Sequence, residues 1–300
     1  MKIDLHIHSK NGSDGRWTLE EIFAEASRRK IGLMSITDHD AIHCQDEAIA
    51  LAERYGIGYI PGVELNVTFS HPAYKEGKGM PLDFLGYGYD IHSKPLLGKL
   101  HVLRAFREKR AREILENINR EFQKEGRKAF TDQDMEAIQA GVDGTFGRPH
   151  IANYLIEQGV VRDKREAFER YLVSCNVPKM PLGLEEASEL IRDAGGKLVI
   201  AHPHDPNGTS LASFAASVAD RHAIIRDVML PYIDGIECWH SRHSRNTIRS
   251  CRAFALEEGL MVTGGSDCHQ QPVIMGTIEI PDYVARQFDL QGRKTHISED

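Results

Sequence analysis

Apolar residues in the first third of the chain occur in short runs that alternate with segments of helical periodicity. The runs are typical of buried β-strands, and Thr18-Leu19-Glu20-Glu21, after the first run, has the form of a capping box that opens a helix. Strands separated by helices of this length favour parallel pairing in an α/β sheet or barrel. In chain order, the predicted elements are a strand over residues 2–8, a helix over 18–30, a strand over 32–37, a helix over 44–55, and strands over 57–64 and 82–89.

The pattern changes between residues 95 and 189, where the sequence contains no convincing buried strand. Residues 100–125 are typical of one long charged helix with an apolar stripe at spacings near 3.6 residues. The stripe consists of Leu103, Phe106, Ile114, Ile118 and Phe122. Strand and helix alternation resumes at residue 197. We therefore expect a discontinuous strand-and-helix domain over residues 1–94 and 190–285, a helical insertion over 95–189, and a polar tail over 286–300.

Composition and charge narrow the class of protein. Of the 300 residues, 41% are hydrophobic, which is enough for one large core or for a core with a small appended domain. The formal net charge of −7 argues against broad binding of nucleic acid or of a membrane surface. The cysteines are scattered, which favours reduced thiols over a disulfide framework. No apolar stretch approaches the length of a membrane span, and the chain enters its first strand without a signal peptide, so the expected location is the cytoplasm. The sequence does not indicate an oligomeric state.

Ionisable residues recur at or just past the ends of the strand-like runs. His6 and His8 are two positions apart, so both imidazoles would leave the same face of one strand. Imidazole is the commonest metal ligand in proteins. Active-site residues of barrel-type α/β proteins gather at the carboxyl ends of strands, so these segments predict one shared polar site. The segments at the ends of the other strand-like runs are Thr37-Asp38-His39-Asp40, Pro61-Gly62-Val63-Glu64, Val199-Ile200-Ala201-His202-Pro203 and Gly265-Ser266-Asp267-Cys268-His269.

Nine residues in and near these segments offer nitrogen or oxygen ligands, which is enough for two or three divalent metal ions. Mixed imidazole and carboxylate sets without thiolate suit Zn²⁺, Mn²⁺ or Fe²⁺ and do not suit a structural zinc finger. Paired metals recur in enzymes that hydrolyse phosphate esters, because they activate water and offset charge on the attacked group. The nine candidates are His6, His8, Asp14, His39, Glu64, Asp83, His202, Asp267 and His269.

The chain resembles the PHP (polymerase and histidinol phosphatase) family of metal-dependent phosphoesterases over about residues 2–280. The resemblance lies in six ordered motifs: Asp-Leu-His-x-His, Ser-Asp-Gly, Thr-Asp-His-Asp, Gly-Val-Glu, Ala-His-Pro and Gly-Ser-Asp-x-His. It implies a distorted (β/α)7 barrel and a trinuclear metal site. By motif, the three ions would be held by His6, His8, Glu64 and Asp267; by Glu64, Asp83 and His202; and by Asp14, His39 and His269.

Asp83 departs from the family pattern. Many relatives have histidine in a strand that ends His-x-x-Gly, whereas this chain has Asp83-Phe84-Leu85-Gly86. An aspartate still offers an oxygen ligand, but it adds a negative charge and a harder ligand, so it alters the metal preference of its site.

The resemblance also implies residues that face the substrate. Arg148 and His150 correspond to an Arg-x-His segment of relatives that act on small phosphates, and Lys179 follows by the same analogy. We expect Arg148 to act as a planar clamp on the phosphate and His243 as a phosphate ligand or proton donor. Asp267 is expected to orient the attacking water.

Several other residues are assigned supporting or packing roles. Asp38 and Asp40 flank His39 and are expected to orient imidazole ligands. Cys268 lies between two candidate ligands and is expected to point away from them and pack. His43 and His204 lie beside motifs without a role that the sequence assigns. The histidines outside any motif, expected at the surface or in packing, are His71, His92, His101, His222, His240 and His296.

Together these observations predict a metal-dependent phosphoesterase that hydrolyses a small phosphorylated metabolite and releases phosphate. Asp83 favours the branch of the family that opens cyclic phosphodiesters such as 5-phosphoribose 1,2-cyclic phosphate, because a diester offers fewer charged oxygens to a third ion. The alternative is a nucleotidase for nucleoside monophosphates or 3′,5′-bisphosphates, or a 5′-exonuclease for short oligonucleotides; the net charge disfavours long polymers. A non-catalytic regulatory module stabilised by metals is a different class, and the complete ligand set argues against it.

Overall fold

The computed structural model describes residues 1–140 and 147–288, which form a mixed α/β fold. The chain divides into two compact units. The first comprises Met1–Leu97 together with the chain from Pro181 onward, and the second comprises Gly98–Met180. The predicted tail begins at residue 286, but Asp282–Gln287 form a 3₁₀ turn, and residues 289–300 lie outside the described part of the chain.

A parallel sheet of three strands opens the first unit. Its strands β1, β2 and β3 are in chain order, and the helices α1 and α2 connect them. The capping box at Thr18 is formed, since the Thr18 hydroxyl accepts the Glu21 N–H and the Glu21 carboxylate accepts the Thr18 N–H. The elements are β1 (Lys2–Ile7), α1 (Leu19–Arg28), β2 (Ile31–Ile36), α2 (Gln45–Tyr55) and β3 (Gly58–Tyr59).

A second sheet holds the remaining described strands in the order β4-β5-β6-β7-β8. The expectation of parallel pairing is wrong for two of its four pairs, because β4 with β5 and β5 with β6 are antiparallel. The connection from β4 to β5 contains only a short turn, which suits antiparallel and not parallel neighbours. The elements are β4 (Gly62–Phe69), β5 (Met80–Tyr87), α7 (Leu184–Asp193), β6 (Lys197–Ile200), α8 (Val218–Ile224), β7 (Gly235–His240), α9 (Arg245–Glu258) and β8 (Met261–Gly265).

The single strand predicted over residues 57–64 is also wrong, because the run breaks at Ile60-Pro61 and its two halves join different sheets. Pro61 has no N–H to offer a ladder, so it ends the first half. Gly62 then passes close to β2: a Cβ at this position would lie 2.1 Å from Ser35 Oγ. The break allows β4 to leave the first sheet and carry Glu64 onward.

The two sheets touch at two places. Isolated bridges join Ile7, at the end of the edge strand β1, to Cys268, and His39, in the loop after the middle strand β2, to Glu64. The buried Asp4 carboxylate adds to the first of these junctions by accepting the N–H of Ser266 at 2.8 Å. The sequence predicted a (β/α)7 barrel. The structure shows an α/β arrangement of two sheets with separate hydrogen-bond ladders, joined by two isolated bridges.

The described residues of the second unit form helices joined by turns and irregular segments, with no strand, as the sequence predicts. The long helix α3 starts earlier than expected, and its apolar stripe is buried at Leu103, Ile114, Ile118 and Phe122. Among the described helices, α3 included, none combines the length and the apolar character that a membrane crossing requires. The helices are α3 (Lys94–Lys124), α4 (Asp132–Ala140), α5 (Arg148–Glu157) and α6 (Lys164–Ala167), the last continuing as a π turn over Phe168–Leu172.

Candidate active site

Strand ends of the first unit bring eight of the nine candidate ligands into contact with one another. The end of β1 supplies the first two histidines, and the loops after β1, β2, β6 and β8, together with β4, supply the others. Each of the eight lies within 3.8 Å of another member. They are His6, His8, Asp14, His39, Glu64, His202, Asp267 and His269.

Glu64 lies at the centre of this cluster and is almost completely buried. Its Oε2 atom is 3.4 Å from His6 Nε2, 3.2 Å from His8 Nε2 and 3.0 Å from His39 Nδ1. Its Oε1 atom is 2.9 Å from His202 Nε2. A carboxylate so placed can share its two oxygens between neighbouring ions.

Two aspartates extend the cluster on its other side. Asp267 Oδ1 lies 3.5 Å from His6 Nε2 and 3.3 Å from His8 Nε2, and Asp14 Oδ1 lies 3.1 Å from His269 Nε2. The donor atoms fall into three compact groups, each able to hold one cation. These are His6, His8 and Asp267; His6, Glu64 and His202; and His8, Asp14, His39 and His269.

Asp83 is not a member of these groups. Its Oδ1 atom accepts a hydrogen bond from Asn66 Nδ2 at 2.6 Å. Burial and then the negative charge of Glu64 raise the pKa of Asp83. Asp83 therefore lies within the electrostatic reach of the cluster while its carboxylate is held by an amide.

The electrostatics of the cluster favour a cation. Burial opposes ionisation of Glu64, but the positive charges of His39 and His6 hold its pKa well below the usual range. In the other direction, burial lowers the pKa of His39, yet Glu64 and Asp14 raise it to about 10. Ionised carboxylates that pull protons onto neighbouring imidazoles would attract a divalent ion in the same way.

Both ring nitrogens of His6 face carboxylates. His6 Nδ1–H donates to Glu237 Oε1 at 3.0 Å, because a carboxylate can only accept, and Nε2 faces the oxygens of Glu64 and Asp267. His8 Nε2 lies only 3.1 Å from His6 Nε2. Ring nitrogens and carboxylate oxygens that converge in this way need a cation among them, so the donor set fits divalent metal ions.

Buried polar residues orient these ligands. Glu237 is fully buried and also accepts the backbone N–H of His202 at 2.7 Å, so it supports two ligands at once. On the other side, Ser13 Oγ lies 3.3 Å from His8 Nδ1 and donates to Asp38 at 2.7 Å. The sequence interpretation expected such a role for Asp38 but overlooked Glu237. The feature that could have revealed Glu237 is the presence of a single acidic residue in an otherwise apolar strand.

His240 was expected at the surface or in packing, and this expectation is wrong. It is buried, and its Nε2 atom lies 3.4 Å from Asp267 Oδ2. Glu237 and His240 are three positions apart and would face opposite sides of a regular strand. The register of β7 against β8 shifts between Glu237 and Trp239, and this bulge turns both side chains toward the cluster.

Two of the candidate ligands have strained backbones. His202 has a φ of 26° and Asp267 a φ of 55°, in the region that non-glycine residues rarely adopt. Such conformations persist where surrounding contacts hold them, and they cluster at functional sites. Here the Glu237 carboxylate holds the His202 N–H, and the His6 carbonyl accepts the Asp267 N–H at 2.9 Å.

Comparison with known proteins decides the family. The PHP domain family profile matches residues 4–175. A 3′,5′-nucleoside bisphosphate phosphatase of Chromobacterium violaceum is 31% identical and covers 89% of this chain and 87% of its own length. A 5′-3′ exoribonuclease of Haemophilus influenzae is 33% identical, with 89% and 90% covered.

This chain belongs to the PHP domain family.

Similarity to a further relative and to a solved structure agrees with this family assignment. A phosphoribosyl 1,2-cyclic phosphate 1,2-diphosphodiesterase of Eggerthella lenta is 25% identical and covers 89% of this PHP chain and 93% of its own length. A solved structure from Bifidobacterium adolescentis, assigned provisionally to the metal-dependent phosphoesterases, has a TM-score of 0.76 and 26% identity and covers 97% of this chain and 98% of its own. The chain is accordingly an enzyme of the phosphoester hydrolase class.

The predicted substrate-side residues of the PHP protein lie in both units. His243, in the first unit, is buried, and its Nδ1 atom lies 3.0 Å from the Cys238 carbonyl while Nε2 has no hydrogen-bond partner. In the second unit, Arg148 donates to the Leu172 carbonyl at 3.3 Å, and Lys179 is exposed. His150 Nδ1 accepts the N–H of Gly147 at the start of α5.

The remaining histidines divide between surface and interior. His71 is partly exposed and His92 and His101 are exposed, as expected. His222 is buried and stacks on Phe254 at 4.3 Å between ring centroids. His296 lies outside the described residues. Cys268 packs in the apolar core of the first sheet, in agreement with its predicted role.

Proposed function

We propose that this PHP protein binds two or three divalent ions and hydrolyses a small phosphate ester with release of phosphate. The observation that supports this proposal is the convergence of imidazole and carboxylate donors on Glu64. The ligands would be the eight clustered residues, with the carboxylate of Asp83 as a ninth ligand beside them. When bound, the metals would activate water and offset the charge of the phosphate.

We further propose a nucleotide substrate, in particular a nucleoside 3′,5′-bisphosphate. The support is the 31% identity to a phosphatase of that name, which extends over nearly the full length of both chains. The sequence interpretation preferred a cyclic phosphodiester on the basis of Asp83. That substrate becomes the second candidate. Its support is weaker, because Asp83 is held by Asn66 and lies outside the ligand groups. Because the chain is also 33% identical to an exoribonuclease, short oligonucleotides are a further possible substrate and are included in the same experiment.

The side chains of this protein would have three tasks in the reaction. Asp267, close to both His6 and His8, would orient the attacking water and accept its proton. His243 would bind the phosphate or protonate the leaving oxygen through Nε2, and either role needs a proton on that atom because Nδ1–H donates to the Cys238 carbonyl. Burial lowers the pKa of His243 to about 4, so the negative charge of the bound phosphate would have to stabilise this proton. Arg148 would hold the non-bridging oxygens, since a planar guanidinium can donate to two of them.

The decisive experiment measures phosphate release by Mn²⁺-loaded protein from matched substrates. These are a nucleoside 3′,5′-bisphosphate, the two corresponding monophosphates, a dinucleotide, and a cyclic sugar phosphate with its ring-opened monoester. We expect the bisphosphate to have the highest kcat/KM. Fast turnover of the cyclic phosphate alone would replace the first candidate by the second, and no turnover of any phosphate ester by metal-loaded protein would refute the proposal.

Arg148→Ala tests the clamp separately. Loss of one group that stabilises charge in the transition state costs about 10²–10³ in rate. We therefore expect kcat/KM to fall by about 100-fold, while Arg104→Ala, which removes an exposed arginine of α3, should leave it unchanged. Unaltered kcat/KM in Arg148→Ala would exclude the clamp role.

A further inference from the structure

A second group of ligand-type side chains lies in the first unit, apart from the cluster around Glu64. It consists of His204, from the loop after β6, His222, from α8, and Cys251, from α9. All three are buried, with exposed fractions of 4%, 7% and 0%. One donor atom from each residue lies within 4.8 Å of the other two.

The imidazoles of this group lack the hydrogen bonds that burial normally requires. Both ring nitrogens of His204 and the Nε2 atom of His222 are buried without a hydrogen-bond partner. A buried polar atom left in this way has lost its hydrogen bonds to water without replacement, which destabilises the folded protein. Among the buried side chains in the described part of the chain, His204 is the one histidine with both nitrogens unpartnered. The group therefore contains unused lone pairs in an enclosed place.

Packing explains the position of these rings but not their nitrogens. His222 lies flat on Phe254, with an interplanar angle of 11°, so its ring edge is directed away from that contact. The rings of His204 and His222 meet edge to face, at 5.0 Å between centroids and 72° between planes. Apolar side chains would fill the same space without an unsatisfied donor or acceptor.

Two imidazoles and a thiol are ligands that Zn²⁺ prefers. A tetrahedral zinc ion with ordinary Zn–N and Zn–S bonds places neighbouring ligand atoms about 3.3–3.6 Å apart. The separations here, up to 4.8 Å, require a contraction of about 1 Å, which side-chain rotation can supply. The fourth position would be open to water.

We propose that His204, His222 and Cys251 form a second metal site, for Zn²⁺ or another thiophilic divalent cation, distinct from the PHP metal centre. The ion would tie α8 and α9 to the loop after β6. His202, a candidate ligand of the PHP centre, lies two residues before His204 in that loop. The second site would therefore fix the position of a ligand of the first without itself touching the substrate.

Cobalt substitution tests the proposal, because Cys251 is the one thiol among the donors of either site. The protein is stripped with a chelator and titrated with Co²⁺ while its absorption spectrum is recorded. A thiolate bound to Co²⁺ produces an ultraviolet charge-transfer band that nitrogen and oxygen ligands do not. We expect this band in the unaltered protein, with the intensity of one bound thiolate per chain once all sites are filled. Absence of the band in the unaltered protein would overturn the proposal, whatever the behaviour of any variant.

Variants then assign the sulfur. Cys251→Ser should abolish the band and lower the bound metal, counted by elemental analysis, by one equivalent, and His222→Gln should weaken it. Cys175→Ser, which removes another buried cysteine in the second unit, should leave both readings unchanged. Persistence of the band in Cys251→Ser with a native circular dichroism spectrum would refute the assignment. Neither reading depends on phosphate release, so the test stands apart from the function proposed above.

Discussion

Replacing Glu237 by glutamine tests the claim that a buried carboxylate orients the metal ligands. Glu237 is fully buried, and its two oxygens accept from His6 Nδ1 at 3.0 Å and from the His202 N–H at 2.7 Å. A glutamine oxygen can accept one of these bonds, and its amide group would then face the other donor. The variant thus loses about one charge-assisted hydrogen bond, worth about 1.5–3 kcal/mol. Loss of such a partner typically reduces metal affinity or activity by about 10- to 100-fold.

Two measurements check this expectation. Competition with a chromophoric chelator gives the Mn²⁺ dissociation constant, and phosphate release at limiting Mn²⁺ gives kcat/KM. Both should worsen by about 10- to 100-fold in Glu237→Gln, and excess Mn²⁺ should restore much of the activity. Glu53→Gln, at an exposed position of α2, is the matched control and should behave like the unaltered protein. Values within twofold of the control would show that Glu237 does not act through the ligands.

Three further experiments have expected outcomes. Gly265→Ala should destabilise the protein by about 3 kcal/mol or more, because the new Cβ would lie 2.3 Å from the backbone nitrogen of His6; Gly98→Ala, with nothing within 4 Å, should stabilise α3 by about 0.5–1 kcal/mol, and urea unfolding compares the two. Burial and then Arg226 lower the pKa of His222 from 6.5 to about 4, so the unfolded chain binds this proton more tightly. In chelator, the free energy of unfolding should therefore fall as the pH drops from 6.5 toward 4, by up to about 3 kcal/mol for this group, and an identical pH profile in His222→Phe would contradict the reasoning. Asp83→His should alter the ratio of diester to monoester hydrolysis, and an unchanged ratio would remove the argument for a cyclic substrate.

Local sequence predicted most of the candidate site because strand ends converge in α/β folds. His6 and His8 are on one face of a strand by their spacing alone, and Asp267 follows another strand, so their meeting required only that the two strands be neighbours. Asp83 was harder to place. The sequence shows an aspartate in a ligand motif, but the amide that holds it, Asn66, comes from the partner strand β4.

Glu237 and His240 were missed for a physical reason. The alternation of strands and helices expected after residue 197 includes β7, but strand alternation assigns Glu237 and His240 to opposite faces. Only the register shift between Glu237 and Trp239 brings both to the site, and such a bulge depends on pairing with β8. The break at Pro61 was missed for a similar reason. The apolar run continues through Pro61, although the chain passes there from one sheet to the other.

The bridge between Ile7 and Cys268 has a consequence for the order of folding. Strand β1 leaves the ribosome before β8, and Asp4 finds the Ser266 N–H only after 262 further residues. At synthesis rates of roughly 5–20 residues per second, that interval is about 13–52 s. Throughout this time β1 is paired on one side with β2, while the side that meets the end of β8 stays uncovered. The entropic cost of closing so long a loop is met only when β8 arrives. We therefore expect the nascent chain to be most prone to aggregation through its first strand, and chaperone capture to be strongest before β8 is made.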